Sequence, residues 1–109
     1  MDISFLNSNL KRLCEDSKYS IRKLGSTSAR KLQTRLADLD AVARLGDVAA
    51  GRPHPLKGDR IGEFALDLSN GRRLVFEPSD DPVPVDANGD IEWREIKSVR
   101  IVFIGDYHD

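Results

Sequence analysis

An α+β domain is the fold class this sequence predicts, and three stretches carry the prediction. Apolar residues recur close to helical spacing from Leu10 to Ala43, an alternating apolar pattern broken by a turn signal runs from Glu63 to Glu77, and a nearly unbroken apolar run from Val99 to Ile104 reads as a strand covered on both faces. A chain of 109 residues supports one domain with a two-layer core and is too short for two independent ones. The expected architecture is two N-terminal helices packed on one face of a small, mainly antiparallel β-sheet.

Ile3 and Phe5 flank a possible first strand, and Asn7-Ser8-Asn9 offers N-cap candidates for the helix that follows. Leu10, Leu13, Cys14, Ile21 and Leu24 form the buried stripe of that first helix, and Gly25 is its natural stop. Ser26-Thr27-Ser28 is expected to cap a second helix with the stripe Leu32, Leu36, Leu39 and Ala43, while Arg30, Lys31 and Arg35 fall on or near its opposite face. So short a turn makes the two helices an antiparallel hairpin.

Gly46 to Asp59 is irregular. Pro53 and Pro55 hold the backbone around His54 extended, so the histidine is expected on a stiff loop. Beyond it, Phe64, Leu66 and Leu68 alternate with Glu63, Ala65 and Asp67, and after Ser69-Asn70-Gly71 the chain resumes as Arg72-Arg73-Leu74-Val75-Phe76. A two-residue Asn70-Gly71 loop would set the apolar sets on opposite faces. A three-residue loop with Gly71 in the left-handed conformation instead places Leu66 opposite Leu74, Phe64 opposite Phe76 and Asp67 opposite Arg73. Residues from about 78 to 95 are turn-rich and acidic and read as an insertion or long connection anchored by Trp93; their carboxylates lack calcium-loop spacing.

The net charge of −1 conceals an asymmetry. Up to Phe76 there are 14 Lys and Arg against 9 Asp and Glu, and from Glu77 onward 3 against 9, so a basic body precedes an acidic tail. A basic body suits a polyanionic partner, although solvated helix faces would show the same count. Cys14 is the only cysteine, which excludes an internal disulfide and a thiolate metal cluster and leaves a half-buried helical thiol. No apolar run approaches the roughly 20 residues of a spanning helix, and Met1 to Phe5 lacks a basic region followed by an apolar one, so a cytoplasmic location is expected. The terminal Asp106-Tyr107-His108 brings proton-transfer side chains to the end of the last strand, where a polar tail would serve solubility equally well.

The order helix, helix, His54-Pro55-Leu56-Lys57-Gly58-Asp59, the hairpin ending Gly71-Arg72-Arg73-Leu74-Val75-Phe76, and Ile104-Gly105-Asp106-Tyr107-His108 resembles the RelE/ParE superfamily of type II toxin–antitoxin toxins, in the HigB or plasmid maintenance system killer protein branch. The resemblance touches most of the chain and implies a single RelE/ParE-like toxin domain over residues 1–109. It also implies a metal-independent endoribonuclease, without a cofactor, that cleaves messenger RNA in a translating ribosome by attack of a 2′-hydroxyl on the adjacent phosphate. Such chemistry needs a base, an acid and cations for the developing charge.

Carried over residue by residue, the resemblance makes His54 and His108 the functional histidines, Lys57 the loop lysine and Arg73 the hairpin arginine, with Asp106 and Tyr107 completing the terminal cluster. It also implies RNA contacts from Arg52, Arg60 and Arg72. A histidine exchanges protons near neutral pH, Lys57 and Arg73 suit a phosphate, and Tyr107 suits base stacking or proton transfer. Which histidine is acid and which is base stays open. The implied partners are messenger RNA, the ribosome and a cognate helix-turn-helix antitoxin of the HigA type, with operator DNA reached only through that complex and no membrane. Two other readings compete. One is a ParE-like noncatalytic poison docking on a protein such as gyrase; the other is a noncatalytic nucleic-acid-binding domain, for which no recognition-helix pattern is present.

Overall fold

The computed structural model describes residues 1–106. Its elements run β1 (Asp2–Phe5), α1 (Ser8–Glu15), α2 (Ser17–Leu24), α3 (Ser26–Ala41), β2 (His54–Pro55), β3 (Phe64–Asp67), β4 (Arg73–Pro78) and β5 (Ser98–Gly105). Short 3-10 turns lie at Leu45–Asp47, Gly58–Arg60 and Trp93–Glu95. The sheet has the order β1-β5-β4-β3-β2; β1 and β5 are parallel and every other pairing is antiparallel.

The stretch expected to form one first helix is two. Asn7 opens α1 by accepting the Leu10 N–H at 2.9 Å. Asp16 then adopts an extended backbone, closes α1 through its own N–H to the Arg12 carbonyl, and opens α2 by taking the Tyr19 N–H on its carboxylate at 3.1 Å. A short acidic side chain competes for backbone N–H groups and favours such a break. The Tyr19 N–H, helped by Arg12, holds the Asp16 carboxyl below its ordinary range. The break resets the helical phase, so α2 buries Tyr19, Ser20 and Leu24 and leaves Ile21 46% exposed, contrary to the expected stripe.

In α3 the expected serine and threonine cap is absent: Gly25, at φ +82°, occupies the N-cap position. Ser28 is buried instead, its hydroxyl 2.6 Å from that of Ser69. Leu32 and Leu39 are fully buried and Leu36 partly so, whereas the helix ends at Ala41 and leaves Ala43 exposed beyond it.

These helices cover one face of the sheet. Phe64 and Leu66 of β3, Leu74 and Phe76 of β4, and Val99, Ile101 and Ile104 of β5 pack with Leu10, Leu13, Leu32 and Leu39 in one core. Each such side chain contributes about 1.5–3 kcal/mol on burial. The hairpin has the predicted register, Phe64 beside Phe76, Leu66 beside Leu74 and Asp67 beside Arg73. Its loop is Ser69–Gly71, and both Asn70 and Gly71 are left-handed, at φ +55° and +77°; Asn and Gly are the residues that adopt this conformation most readily.

The opposite face is less covered than the apolar run of β5 suggested. Leu56, Ala65 and Val75 are buried there, but Val102 and Phe103 are only partly so. The pairing slips between Val75, which faces Phe103, and Phe76, which faces Ile101, so Val102 is an extra residue on β5. Such a bulge bends its strand and increases the local twist.

Between β4 and β5 the acidic residues are used as local caps. The Asp80 carboxylate accepts the N–H groups of Lys97 and Ser98, and that of Asp86 accepts those of Asn88 and Asp90. Trp93 stacks obliquely on Phe64, with ring centroids 4.7 Å apart. None of the described helices is long and apolar enough to cross a membrane.

Phe76→Ala, at a side chain with no exposed surface, should lower unfolding free energy by about 3–5 kcal/mol in denaturant titration. Burial, aided by Glu15, pushes the Cys14 thiol up to about 12, so iodoacetamide at pH 8 should leave the folded protein unlabelled and modify it readily in denaturant.

Candidate functional site

The sheet face that carries no helix collects the charged side chains. Side chains alternate across a strand, so the register that turns Phe64, Leu66, Leu74 and Phe76 toward the helices turns Ala65, Asp67, Arg73 and Val75 away from them. His54 pairs with Ala65 and shares that face. Arg73 lies beside Gly105 of β5. His54, Asp67 and Arg73 therefore stand at one end of one face, on three neighbouring strands. The expected stiff loop around His54 is in fact strand β2 at the sheet edge, where the two prolines keep the backbone extended and β3 supplies the pairing.

Asp67 is the node. Its carboxylate accepts from Arg52 at 2.7 and 3.3 Å and from Arg73 at 3.1 Å. Burial alone would raise its pKa, but the hydrogen bonds and charges of Arg52 and Arg73 outweigh burial and hold the carboxyl below its ordinary range. Its backbone is tied as well, with its N–H on the Gly51 carbonyl at 2.6 Å and its carbonyl accepting from Arg35 Nε at 3.3 Å.

Arg52 sits at φ +50°, a left-handed conformation that costs a residue other than glycine roughly 1–2 kcal/mol. Its carbonyl lies 2.7 Å from His54 Nδ1. Gly51 lies at φ +83°, a backbone that favours glycine, and a Cβ there would stand 2.7 Å from Arg35 Nε and displace that side chain. Arg35, whose guanidinium also pairs with Asp38 at 2.7 Å, thus braces the turn from α3.

The other expected site residues divide. Arg60 pairs with Glu63 at 2.8 Å and holds its guanidinium 4.5 Å from the centre of the Phe103 ring, on the helix-free face. Lys57 is exposed in the loop just after β2. Asp106 is exposed beside the hairpin turn, where a Cβ on Gly71 would lie 3.7 Å from its carboxylate oxygens. Arg72 turns the other way and donates to Ser28 Oγ of α3 at 3.4 Å. Tyr107 and His108 lie outside the described residues. Among the described residues, no three His, Cys, Asp or Glu side chains gather to hold a metal ion.

Sequence reasoning paired Asp67 with Arg73 but missed Arg52 as its second partner and Arg35 as the brace. The pairing was readable from strand alternation; the other two contacts join segments far apart in the chain.

Because the Asp67 carboxyl is held low in the folded protein, its stabilising contribution is present at and above the ordinary carboxylate range and is lost as pH falls through the lowered value. Asp67→Asn should therefore cost about 1 kcal/mol at pH 7, the upper end for half-exposed ion pairs. The difference from wild type, followed by thermal melts, should shrink as pH falls below about 4.

No family model matches the sequence. Toxin YoeB of Streptomyces coelicolor is 37% identical over 59 residues, covering 53% of this chain and 70% of that protein. The fold is similar to the YoeB/ParE toxin of Agrobacterium tumefaciens, with TM-score 0.56 and 15% identity over 99% of this chain and 100% of that one. It is also similar to Staphylococcus aureus YoeB, with TM-score 0.58 and 20% identity in a YoeB dimer and TM-score 0.55 and 21% identity in a YoeB–YefM complex; each alignment covers 100% of this chain and 98% of that one. The sequence match to the Streptomyces toxin extends over more than two thirds of that protein, and with the shared fold it makes this chain a member of the YoeB group of RelE/ParE-type toxins.

Proposed function

We propose that this protein is the toxin of a type II toxin–antitoxin pair and inhibits growth by cleaving messenger RNA on the ribosome, through attack of a ribose 2′-hydroxyl on the neighbouring phosphate. The observation that carries the reading is the gathering of His54, Arg52 and Arg73 around Asp67 on the sheet face that no helix covers. A sheet face bearing guanidinium groups, a histidine and an arginine-capped aromatic ring offers phosphate neutralisation, proton transfer and a stacking surface together.

In this reading Arg73 and Lys57 bind the scissile phosphate and the charge that develops on it, and His54 and His108 exchange the protons. Asp106 and Tyr107 orient that end of the site, and Arg52 and Arg60 guide the RNA strand. Arg72, turned toward Ser28, contributes through the turn it steadies rather than from the helix-free face. The relatives reported above are YoeB toxins, so the HigB-like branch is the finest part of the proposal. S. aureus YoeB forms a complex with YefM, which supports a cognate antitoxin for this chain, binding operator DNA only as part of the pair. A messenger RNA substrate places the protein in the cytoplasm. The single domain over 1–109 and the acidic connection at about 78–95 belong to the same proposal.

Induced expression of wild type beside Arg73→Ala and His108→Ala, with growth followed and messenger RNA 5′ ends mapped, tests it. Wild type should arrest growth and create new in-frame 5′ ends. Each soluble, folded variant should lose both, with cleavage on purified ribosomes reduced on the order of 10²-fold or more. Arrest that persists in both variants without RNA cleavage would replace the nuclease with a poison that docks on a protein target.

A further inference from the structure

The turn before β2 carries an unexplained combination: an arginine in the left-handed conformation whose carbonyl meets a histidine and whose guanidinium meets an aspartate. We infer that Asp67, acting through Arg52, is a positioning residue that locks His54 in the tautomer protonated on Nδ1, leaving the lone pair on Nε2.

A carbonyl oxygen only accepts hydrogen bonds, so the 2.7 Å contact between His54 Nδ1 and the Arg52 carbonyl requires the hydrogen on Nδ1. A neutral ring then has no proton on Nε2. That carbonyl is aimed at the ring only while Arg52 stays at φ +50°. A residue other than glycine remains there only when its surroundings over-determine it. Among the described residues, two ties that supply the constraint come from Asp67. Its carboxylate takes the Arg52 guanidinium in a two-point contact at 2.7 and 3.3 Å, and its N–H binds the carbonyl of the preceding Gly51 at 2.6 Å. Among the described residues, the charged groups around this turn include Arg52, Arg73 and Asp67, with Arg35 behind Gly51.

The catalytic meaning of the lock rests on the RNA-cleaving reading. There, Nε2 receives the 2′-hydroxyl proton as the 2′-oxygen bonds to phosphorus. The bond from phosphorus to the 5′-oxygen breaks, and that oxygen takes a proton from solvent or from the terminal segment.

Nitrogen-15 NMR of the histidine rings, recorded on the whole protein at a pH where the imidazoles are neutral, tests the lock without reference to activity. A His54→Ala spectrum identifies the His54 signals. Wild type should show His54 with a protonated Nδ1 and a bare Nε2. Asp67→Ala should lose that preference, and so should Arg52→Gly, which severs the same tie at its other end and carries no left-handed strain to endanger folding. In ribosome-dependent cleavage, Asp67→Ala, which keeps the RNA-guiding Arg52, should lower kcat about tenfold or more, as expected when a proton-transfer group is misaligned, with KM changed less than about twofold. Protonation on Nε2 in the wild type, or an unchanged Nδ1 signal in both folded variants, would overturn the inference. A lock seen by NMR in a wild type that cleaves no RNA would retire the nuclease reading and leave the positioning role of Asp67 standing.

Discussion

The constraint on which the rest of this structure depends is the register of the β3–β4 hairpin. Side chains alternate with a period of two, so pairing Leu66 with Leu74 commits every odd-numbered residue of both strands to the other face. The same register that closes the core against the helices sets Asp67 beside Arg73 where no helix reaches. A slip of one residue on one strand would bring a charged side chain into the core and would separate the ion pair. Stability and site geometry are thus set by one choice, made in the loop Ser69–Gly71, where Asn70 and Gly71 accept the left-handed backbone that the turn needs.

Around that hairpin, electrostatics and packing divide the work. The helix-covered face is apolar throughout and supplies the cohesion. The bare face has a small apolar floor of Leu56, Ala65 and Val75, ringed by arginines and their carboxylate partners. Ion pairs this exposed contribute little to folding; their effect is to hold long, flexible side chains in defined places before any ligand arrives. Acidic residues between β4 and β5 work in a comparable way on backbone N–H groups, which explains how a strongly negative segment fits a protein whose relatives are toxins. Its Asp80 and Asp86 carboxylates are occupied by the turns they cap.

Much of the fold was legible because it depends on local pattern. The hairpin register, the core leucines of α3 and the strand character of residues 99–104 follow from spacing alone. The division of the first helix was not read, because Asp16 continues a helical pattern in sequence while its carboxylate prefers the Tyr19 N–H in space. The place of His54 in β2 was hidden by its prolines, which argue for extended backbone but do not say what it pairs with. Within the candidate site, Asp67 facing Arg73 could be read from alternation, and so could the opposite orientation of Arg72. The brace from Arg35 could not, since it spans from α3 to the turn at Gly51 with no spacing rule to betray it. The parts assigned to Tyr107 and His108 continue to rest on family resemblance.

The parallel pairing of β1 with β5 joins Asp2 to Ser98 and Phe5 to Ile101, strands separated by nearly the whole chain. Contacts of such separation are slow to form because a long loop must close first. In a chain that emerges in order during synthesis, β1 waits exposed until β5 follows it, and β5 is also the strand that covers the second edge of β4. The helices and the β3–β4 hairpin can gather early, yet the sheet and its arginine-lined face are completed only when β5 joins. A polypeptide interrupted before β5 would hold Arg52, Asp67 and His54 without Phe103 beside Val75 or Gly105 beside Arg73, so translation must pass β5 before this face can assemble.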